Sequence, residues 1–479
     1  LKRKKMKKII NIFFVVLTVL SVTSCDDFLD ITPDGQVKRE ELLSTSEGIE
    51  DALYGVYAQL RSNNLYGQEL SYSYLEVMAQ TMDCYGNDPV TALGKYDYKY
   101  STVESMFESI WTSMYNNISN ANSILRSPLI EGANSYPFTI YRGEALALRA
   151  FMHFDLMRIY AEQITLNPTA KGIPYATEFS LNTPEFESLA KNYEHVLADL
   201  LEAEELLAGE DEYKNTSLFM TDRQIHLNVH AVRALLARVY LTMGDKEKAY
   251  IYADKVIRES GYSLNDKTEI EGDLAGVLSL KETLFGIYFS GFYANVSTKL
   301  QQTSSYYSLD PRDDIKSIYD EAADGSDFRW GAYFTTVELG GTERLRLSKL
   351  TDVYELRGAV SSRPAERILG INMIRMPEMY YICSEALLET DYDKALTYFD
   401  AVLVSRGLEP LANRTTNNTL TQDFINLERY KEFVGEGQTF FNMKRQNLAI
   451  KSADGKTTFQ PSNDIYVVPV PDIEYENRY

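Results

Sequence analysis

Apolar positions recur at helical spacing along most of this chain, and the stretch from Arg142 to Ala161 (RGEALALRAFMHFDLMRIYA) shows the pattern at its densest. Wound at about 100° per residue, the stretch has two apolar sides instead of one. Leu146, Ala147, Ala150, Phe154, Met157 and Ala161 share one side, and Ala145, Leu148, Met152, Leu156 and Ile159 share the other. Charges fall on the seams: Arg142, Arg149 and His153 on one, Glu144, Asp155, Arg158 and Glu162 on the opposite one. A helix that is apolar on two sides must be covered on both, which predicts an inner layer of a stacked helical array.

The same periodicity predicts helices from Ser46 through Leu60, Tyr66 to Met82, Ser105 to Arg126, Tyr193 to Leu207, Asn228 to Met243, Asp245 to Arg258 and Asp391 to Arg406. Two of these are related. Asp245, Lys248, Ala249, Tyr252, Asp254 and Val256 recur as Asp391, Lys394, Ala395, Tyr398, Asp400 and Val402, each shifted by 146 positions. A small residue and an aromatic at these offsets let paired helices approach and interlock, as in a tetratricopeptide hairpin. The repeats are degenerate and far apart, so the expected fold is mainly α: a tetratricopeptide-like α-superhelix with an inserted irregular, loop-rich region. Strand-like runs (Thr283 to Phe289, Tyr333 to Glu338) and Gly340-Gly341 fall in that insertion. The segment Asp83 to Lys99 (DCYGNDPVTALGKYDYK) also breaks the helical pattern, and GEDEYKN after Leu207 reads as a solvated loop. The C-terminal YVVPVPDIEYENRY is extended and suited to lie along the scaffold.

Charge and cysteines narrow the picture. The formal charge of −21 argues against non-specific nucleic-acid binding, because phosphates are repelled. The three cysteines, Cys25, Cys84 and Cys383, form no metal-ligand spacing, and Cys84 and Cys383 are expected as buried free thiols. Cys25 differs. Lys2 to Lys8 form a basic segment, Ile9 to Leu20 an apolar run too short to span a membrane, and small residues precede the cysteine in SVTSC. This resembles the lipobox of bacterial lipoproteins, with residues 1–24 as signal peptide and Cys25 as the lipidated, palmitate-bearing N-terminus of an anchored chain.

No nucleophile elbow, P-loop, dinucleotide fingerprint or HExxH motif occurs. His226 and His230 have metal-ligand spacing but lack a third ligand and are expected to be structural, as are His153 and His195. Asp310, Asp313 and Asp314 fit a solvated or helix-capping run better than a catalytic carboxylate pair. The positive sign of a ligand site is the crowding of aromatic and polar residues in irregular segments, where rings stack on sugar faces and polar groups meet hydroxyls. These are Asp83, Tyr85, Asn87 and Tyr96 in one segment, and Tyr293, Tyr306 and Trp330 in another.

The stretches CDDFLDITP, IWTSMYNNISNANSIL, RGEALALRAFMHFDLMRIYA, KGIPYAT, ALLARVYLTMGDKEKAYIYADKVI, IRMPEMYYICSEALLETDYDKAL, ERYKEFVGEGQTFFNMKR and YVVPVP, in this order, resemble the SusD/RagB family of outer-membrane nutrient-binding lipoproteins. The resemblance implies a lipidated tether (25–40), a helical N-terminal region (41–270), an irregular insertion with aromatic loops (271–366) and a helical C-terminal region (367–479). It further implies display at the outer membrane and a lid-like partnership with a SusC-like TonB-dependent transporter. Capture of oligosaccharide or peptide follows from it too, without catalysis or cofactor. It places the ligand near 83–99 and 290–330 and not in the Arg142–Ala161 helix. Two rival functions are an exported glycan-active hydrolase, which needs a carboxylate pair across a cleft, and a helical adaptor that binds only protein partners.

Overall fold

A computed structural model describes residues 39–84, 88–180, 183–272, 278–297, 300, 309–319, 327–339, 341–351 and 368–476. The main helices are α1 (Ser46–Leu60), α2 (Ser101–Leu125), α3 (Phe138–Tyr160), α4 (Leu189–Leu207), α5 (Val229–Thr242), α6 (Lys246–Glu259), α7 (Met376–Leu387), α8 (Tyr392–Ser405), α9 (Gln422–Phe433) and α10 (Thr439–Arg445). Strands are short and pair antiparallel in twos: β1 (Met82–Cys84) with β5 (Leu309–Pro311), β2 (Lys171–Pro174) with β3 (Phe186–Ser188), and β4 (Thr283–Tyr288) with β8 (Gly370–Arg375). The remaining pairs are β6 (Phe334–Leu339) with β7 (Thr342–Leu347) and β9 (Ile450–Lys451) with β10 (Thr458–Phe459).

α3 is the inner helix that its pattern predicts. Of its 23 residues, 20 are buried, between α2 on one side and α4 on the other. Its seam charges bind neighbouring layers. Arg149 makes a bidentate contact with Asp199 of α4 (2.8 and 2.6 Å) and donates to Asn122 of α2 (3.0 Å). Tyr66 donates to Asp155 (2.7 Å), which also binds Arg158. Lys444 of α10 donates to the carbonyls of Arg158 and Ala161, both at 2.7 Å, and so caps the C-terminal end of α3. Gly143 allows α3 its close approach to α4: a Cβ there would lie 2.7 Å from Cγ of Leu207.

The two related hairpins, distant in sequence, are adjacent in space. α5 and α6 pair, α7 packs on α6, and α8 completes the second hairpin. Asp245 and Asp391 are equivalent N-caps, accepting from the amides of Lys248 (3.0 Å) and Lys394 (3.2 Å). Ala249 and Ala395 are fully buried at the small-residue positions. The β4–β8 pair makes this stacking possible, because β8 runs directly into α7 and returns the chain from the insertion. A buried ionic network then ties the insertion to α9. Glu432 takes Arg375 (2.8 Å), Arg406 (2.9 Å) and Arg329 (3.3 Å), while Arg329 also binds Asp327 and Glu428. Burial would raise the Glu432 carboxyl, but Arg406 and Arg375 outweigh it and hold it well below the usual range.

Several local expectations are corrected. Residues 61–73 form consecutive turns instead of a helix running from Tyr66 to Met82, and only Tyr74–Met78 is helical. Ser71 Oγ donates to the carbonyls of Tyr66 and Gln68, competing with the helical ladder, while Leu65, Tyr66, Leu70 and Tyr72 are still buried. The apolar spacing was real, but the turns supply it. The 83–99 segment contains a short helix, Asp88–Gly94. In GEDEYKN, Glu210 is buried against Arg223 at 2.5 Å. Asp314 makes no side-chain cap and instead pairs with Arg312 and with Lys451 at 3.5 Å. Residues 466–476 lie along the scaffold, with the Val468 amide donating to the Ile159 carbonyl (3.1 Å), but the expected extended run is interrupted by a short helix, Ile473–Glu476.

Candidate functional site

The two irregular segments that the sequence singles out meet in one small sheet. β1 and β5 pair with Met82 opposite Pro311, Asp83 opposite Asp310 and Cys84 opposite Leu309. The pair is locked by its flanks: the Arg312 amide donates to Thr81 (3.1 Å) and the Asp313 amide to Ala453 (3.2 Å). Residues 450–459, the β9–β10 hairpin, form the facing wall.

Gln80 joins these pieces. Its backbone is left-handed (φ 57°), and its Nε2 donates to the carbonyls of Val77 (3.0 Å) and Gly94 (2.9 Å). Its Oε1 accepts from the Ala453 amide (3.1 Å). Tyr96, nearby in sequence, is also left-handed (φ 59°). Non-glycine residues held in this conformation cost about 1 kcal/mol or more each and persist where surrounding structure over-determines them, which is common at ligand sites. Between the walls lies a groove of about 220 Å³, lined among others by Asp83, Thr91, Lys95, Asp454, Thr457 and Phe459.

The groove is polar and mixed in charge. Asp454 accepts from Ser452 Oγ (2.6 Å), the Lys456 amide (3.0 Å) and Lys456 Nζ (3.1 Å), and these contacts hold its carboxyl down at about 2. Asp454, chiefly, with Asp313 and Asp83 raises the Lys456 ammonium. Ionised carboxylates accept hydrogen bonds from hydroxyls or amides, lysines and threonines donate, and Phe459 offers an apolar face. Asp310, opposite Asp83 in the sheet, is ion-paired to buried Arg346 and lies 3.5 Å from Arg344.

Of the residues expected at a ligand site, Asp83 lines the groove and Tyr96 backs it. Tyr96 is buried, its ring edge-on to Phe459 at 4.9 Å and its hydroxyl donating to Met78 (2.7 Å). Trp330 is half-buried, stacked on Phe334 with centroids 5.0 Å apart and tilted against Tyr319. Cys25, Tyr85, Asn87 and Tyr306 lie outside the described residues, as does the side chain of Tyr293. The residues that sequence reasoning missed are Gln80, Lys95 and the 450–459 hairpin. The turn signal Ala453-Asp454-Gly455 was the available clue to the last.

Elsewhere, His226 Nδ1 donates to Glu144 (2.9 Å) while His230 faces Asp211 at 4.0 Å, so the two do not converge on one point. Cys383 is a buried free thiol. A second, larger cleft of about 380 Å³ lies between α2 and residues 174–178, 180, 183 and 184. Two of its polar residues hold that segment: Tyr115 donates to Pro174 (2.7 Å) and Asn122 to Ala176 (2.9 Å). His153 Nε2 accepts from the Ala176 amide (3.0 Å), and burial pushes its imidazole down to about 3, so it stays neutral.

Comparison with known proteins agrees over both halves of the chain. A family model described as "Starch-binding associating with outer membrane" matches residues 27–241, and the SusD family model matches residues 294–475. SusD-like protein P38 of Formosa agariphila is 23% identical, covering 94% of this chain and 93% of its own. SusD-like protein P2 of the same organism is 22% identical, with 97% of each covered. A crystal structure of a SusD superfamily protein from Bacteroides thetaiotaomicron superposes with a TM-score of 0.73 at 23% identity, over 90% of this chain and 97% of that one. A SusD-like carbohydrate binding protein from Bacteroides vulgatus gives 0.70 at 20% identity, over 90% and 96%. The two matched models and the shared helical array together establish that this chain belongs to the SusD/RagB family.

Proposed function

We propose that the chain is a non-catalytic cell-surface binding protein that captures an oligosaccharide in the Asp83 groove and delivers it to a SusC-like TonB-dependent transporter. The observation that carries the site is the β1–β5 pair, which joins the two ligand-prone segments beside a polar groove. Its mixed donors and acceptors suit neutral hydroxyls, and one related protein is described as carbohydrate binding. Among the described residues no helix is long and apolar enough to cross a membrane. Attachment is through lipid on Cys25, a reading supported by the basic segment, apolar run and small residues that precede this cysteine, and several buried acyl chains supply stable anchoring.

Titration calorimetry of the full chain against a panel of oligosaccharides and peptides tests this. An oligosaccharide should bind, and Asp83→Ala with Lys95→Ala should weaken it at least about tenfold, about 1.4 kcal/mol, with little change in melting temperature. Binding of peptides alone would redirect the ligand class. Binding unaffected by both variants would remove the groove from the site. Reducing ends released from a bound glycan would establish the hydrolase instead.

A further inference from the structure

Arg429 of α9 stands apart from the other buried cations of the helical array. Four arginines line one small cavity of about 20 Å³, at the junction of α3, α5, α7, α9 and α10: Arg158, Arg238, Arg429 and Arg445. Three have their own carboxylates. Arg238 makes a bidentate contact with Glu378 (2.8 and 2.7 Å), Arg445 with Glu385 (2.6 and 2.8 Å), and Arg158 binds Asp155. Arg429 is the fourth. It is only 7% exposed, and among the described residues no carboxylate lies in ion-pair contact with it. Its Nε and Nη1 have no hydrogen-bond partner, and neither does Nη1 of Arg238, itself 5% exposed, on the same cavity.

A buried guanidinium with two idle donors is costly, because desolvation of the charge and of each N–H goes uncompensated. Glu378 and Glu385 attract Arg429 at longer range, but its neighbours Arg445 and Arg238 repel it, and burial with these two pushes it down from its usual value. Four positive charges against three negative ones leave one unit of positive charge in the cluster. What the cavity lacks is a single negative charge able to accept several N–H bonds. Its volume passes the roughly 10–15 Å³ needed for one water-sized occupant and leaves no room for a phosphate or a saccharide. Half-buried Asn442, Arg445 and Thr242 also line it, so the occupant can exchange with solvent.

We propose that this cavity is a binding site for a small monovalent anion of chloride size, to which the unpartnered Nε and Nη1 of Arg429 and Nη1 of Arg238 donate. The anion joins α5 and α9, where the first hairpin meets the C-terminal helices. It is a structural ligand of the scaffold and independent of the saccharide groove.

Two measurements test it. Crystals of the full chain grown in sodium bromide should show an anomalous peak in the cavity, within hydrogen-bond distance of Arg429. Density for water alone there would overturn the proposal. In solution, replacing sodium gluconate by sodium chloride at equal ionic strength should raise the melting temperature by about 1–2 °C for tenfold saturation, and Arg429→Met should abolish the difference. Equal melting temperatures of the wild-type chain in the two salts would also overturn it. The bromide experiment needs only the wild-type chain, so the test stands even if Arg429→Met does not fold.

Discussion

Replacing Glu144 with Gln tests the reading of the central helix as a charged inner layer. Glu144 sits on α3 with no solvent exposure. Tyr57 donates to its Oε2 at 2.7 Å, His226 Nδ1 lies 2.9 Å from the same atom, and Arg223 Nη1 is 2.7 Å from Oε1. Burial by itself raises the carboxyl, but Arg223, His226 and Tyr57 together outweigh it and hold the group at about 2, against an ordinary 4.5. A depressed carboxylate contributes stability that is fully present above its unfolded value and lost as pH falls through its folded one. The downward displacement from 4.5 to about 2, at about 1.36 kcal/mol per pH unit, corresponds to roughly 3 kcal/mol. Breaking one partner of a buried ion pair independently suggests roughly 3–5 kcal/mol. The lower end applies because Arg223 keeps Glu210 at 2.5 Å. Chemical denaturation at pH 7 should therefore show Glu144→Gln less stable by about 3 kcal/mol. Between pH 4.5 and 2 the wild-type chain should lose that advantage, so the two stability curves converge. A difference under about 1 kcal/mol at pH 7, or parallel curves down to pH 2, would refute the network's energetic role.

Other expected outcomes follow from the same packing. Gly143→Ala should destabilise the chain by about 1–3 kcal/mol through the clash with Leu207, and the double variant with Leu207→Ala should lose less than the sum of the two; strict additivity would show that α3 and α4 simply separate. Burial and Arg158 push the Lys444 ammonium down to about 7. The unfolded chain then binds more protons than the folded one above that pH, and stability should rise from pH 7 toward pH 10; Lys444→Met should flatten this slope, and an unchanged slope would place its origin elsewhere. Cys25→Ala should leave the folded chain intact but released from membranes in fractionation, and retained attachment would refute lipidation.

The hairpins show how far local pattern reaches. The shift of 146 positions between the two related helices was readable because small, aromatic and N-cap positions are set within one helix and its turn. The matched positions Asp245 and Asp391 prove to be equivalent N-caps, and the two-sided apolar pattern of α3 correctly required neighbours on both sides. The turns at 61–73 show where pattern misleads, since buried apolar residues at helical spacing satisfy turns and helix alike.

The ligand groove was legible only in part. Asp83 and the 290–330 segment were marked by crowded polar and aromatic residues, but their pairing joins positions more than 200 residues apart. Register between such distant strands is set by how the β4–β8 pair and the helical stack close the chain, and no local period encodes it. Gln80, Lys95 and the 450–459 hairpin enter the groove for the same reason, as do the four arginines around Arg429 in theirs. What the sequence determined was the long helices α1–α6 and α8, their buried faces and the family. What only the tertiary structure decided was which charges share a cavity and which loops share a wall, because those depend on long-range closure and on burial that partners supply from afar.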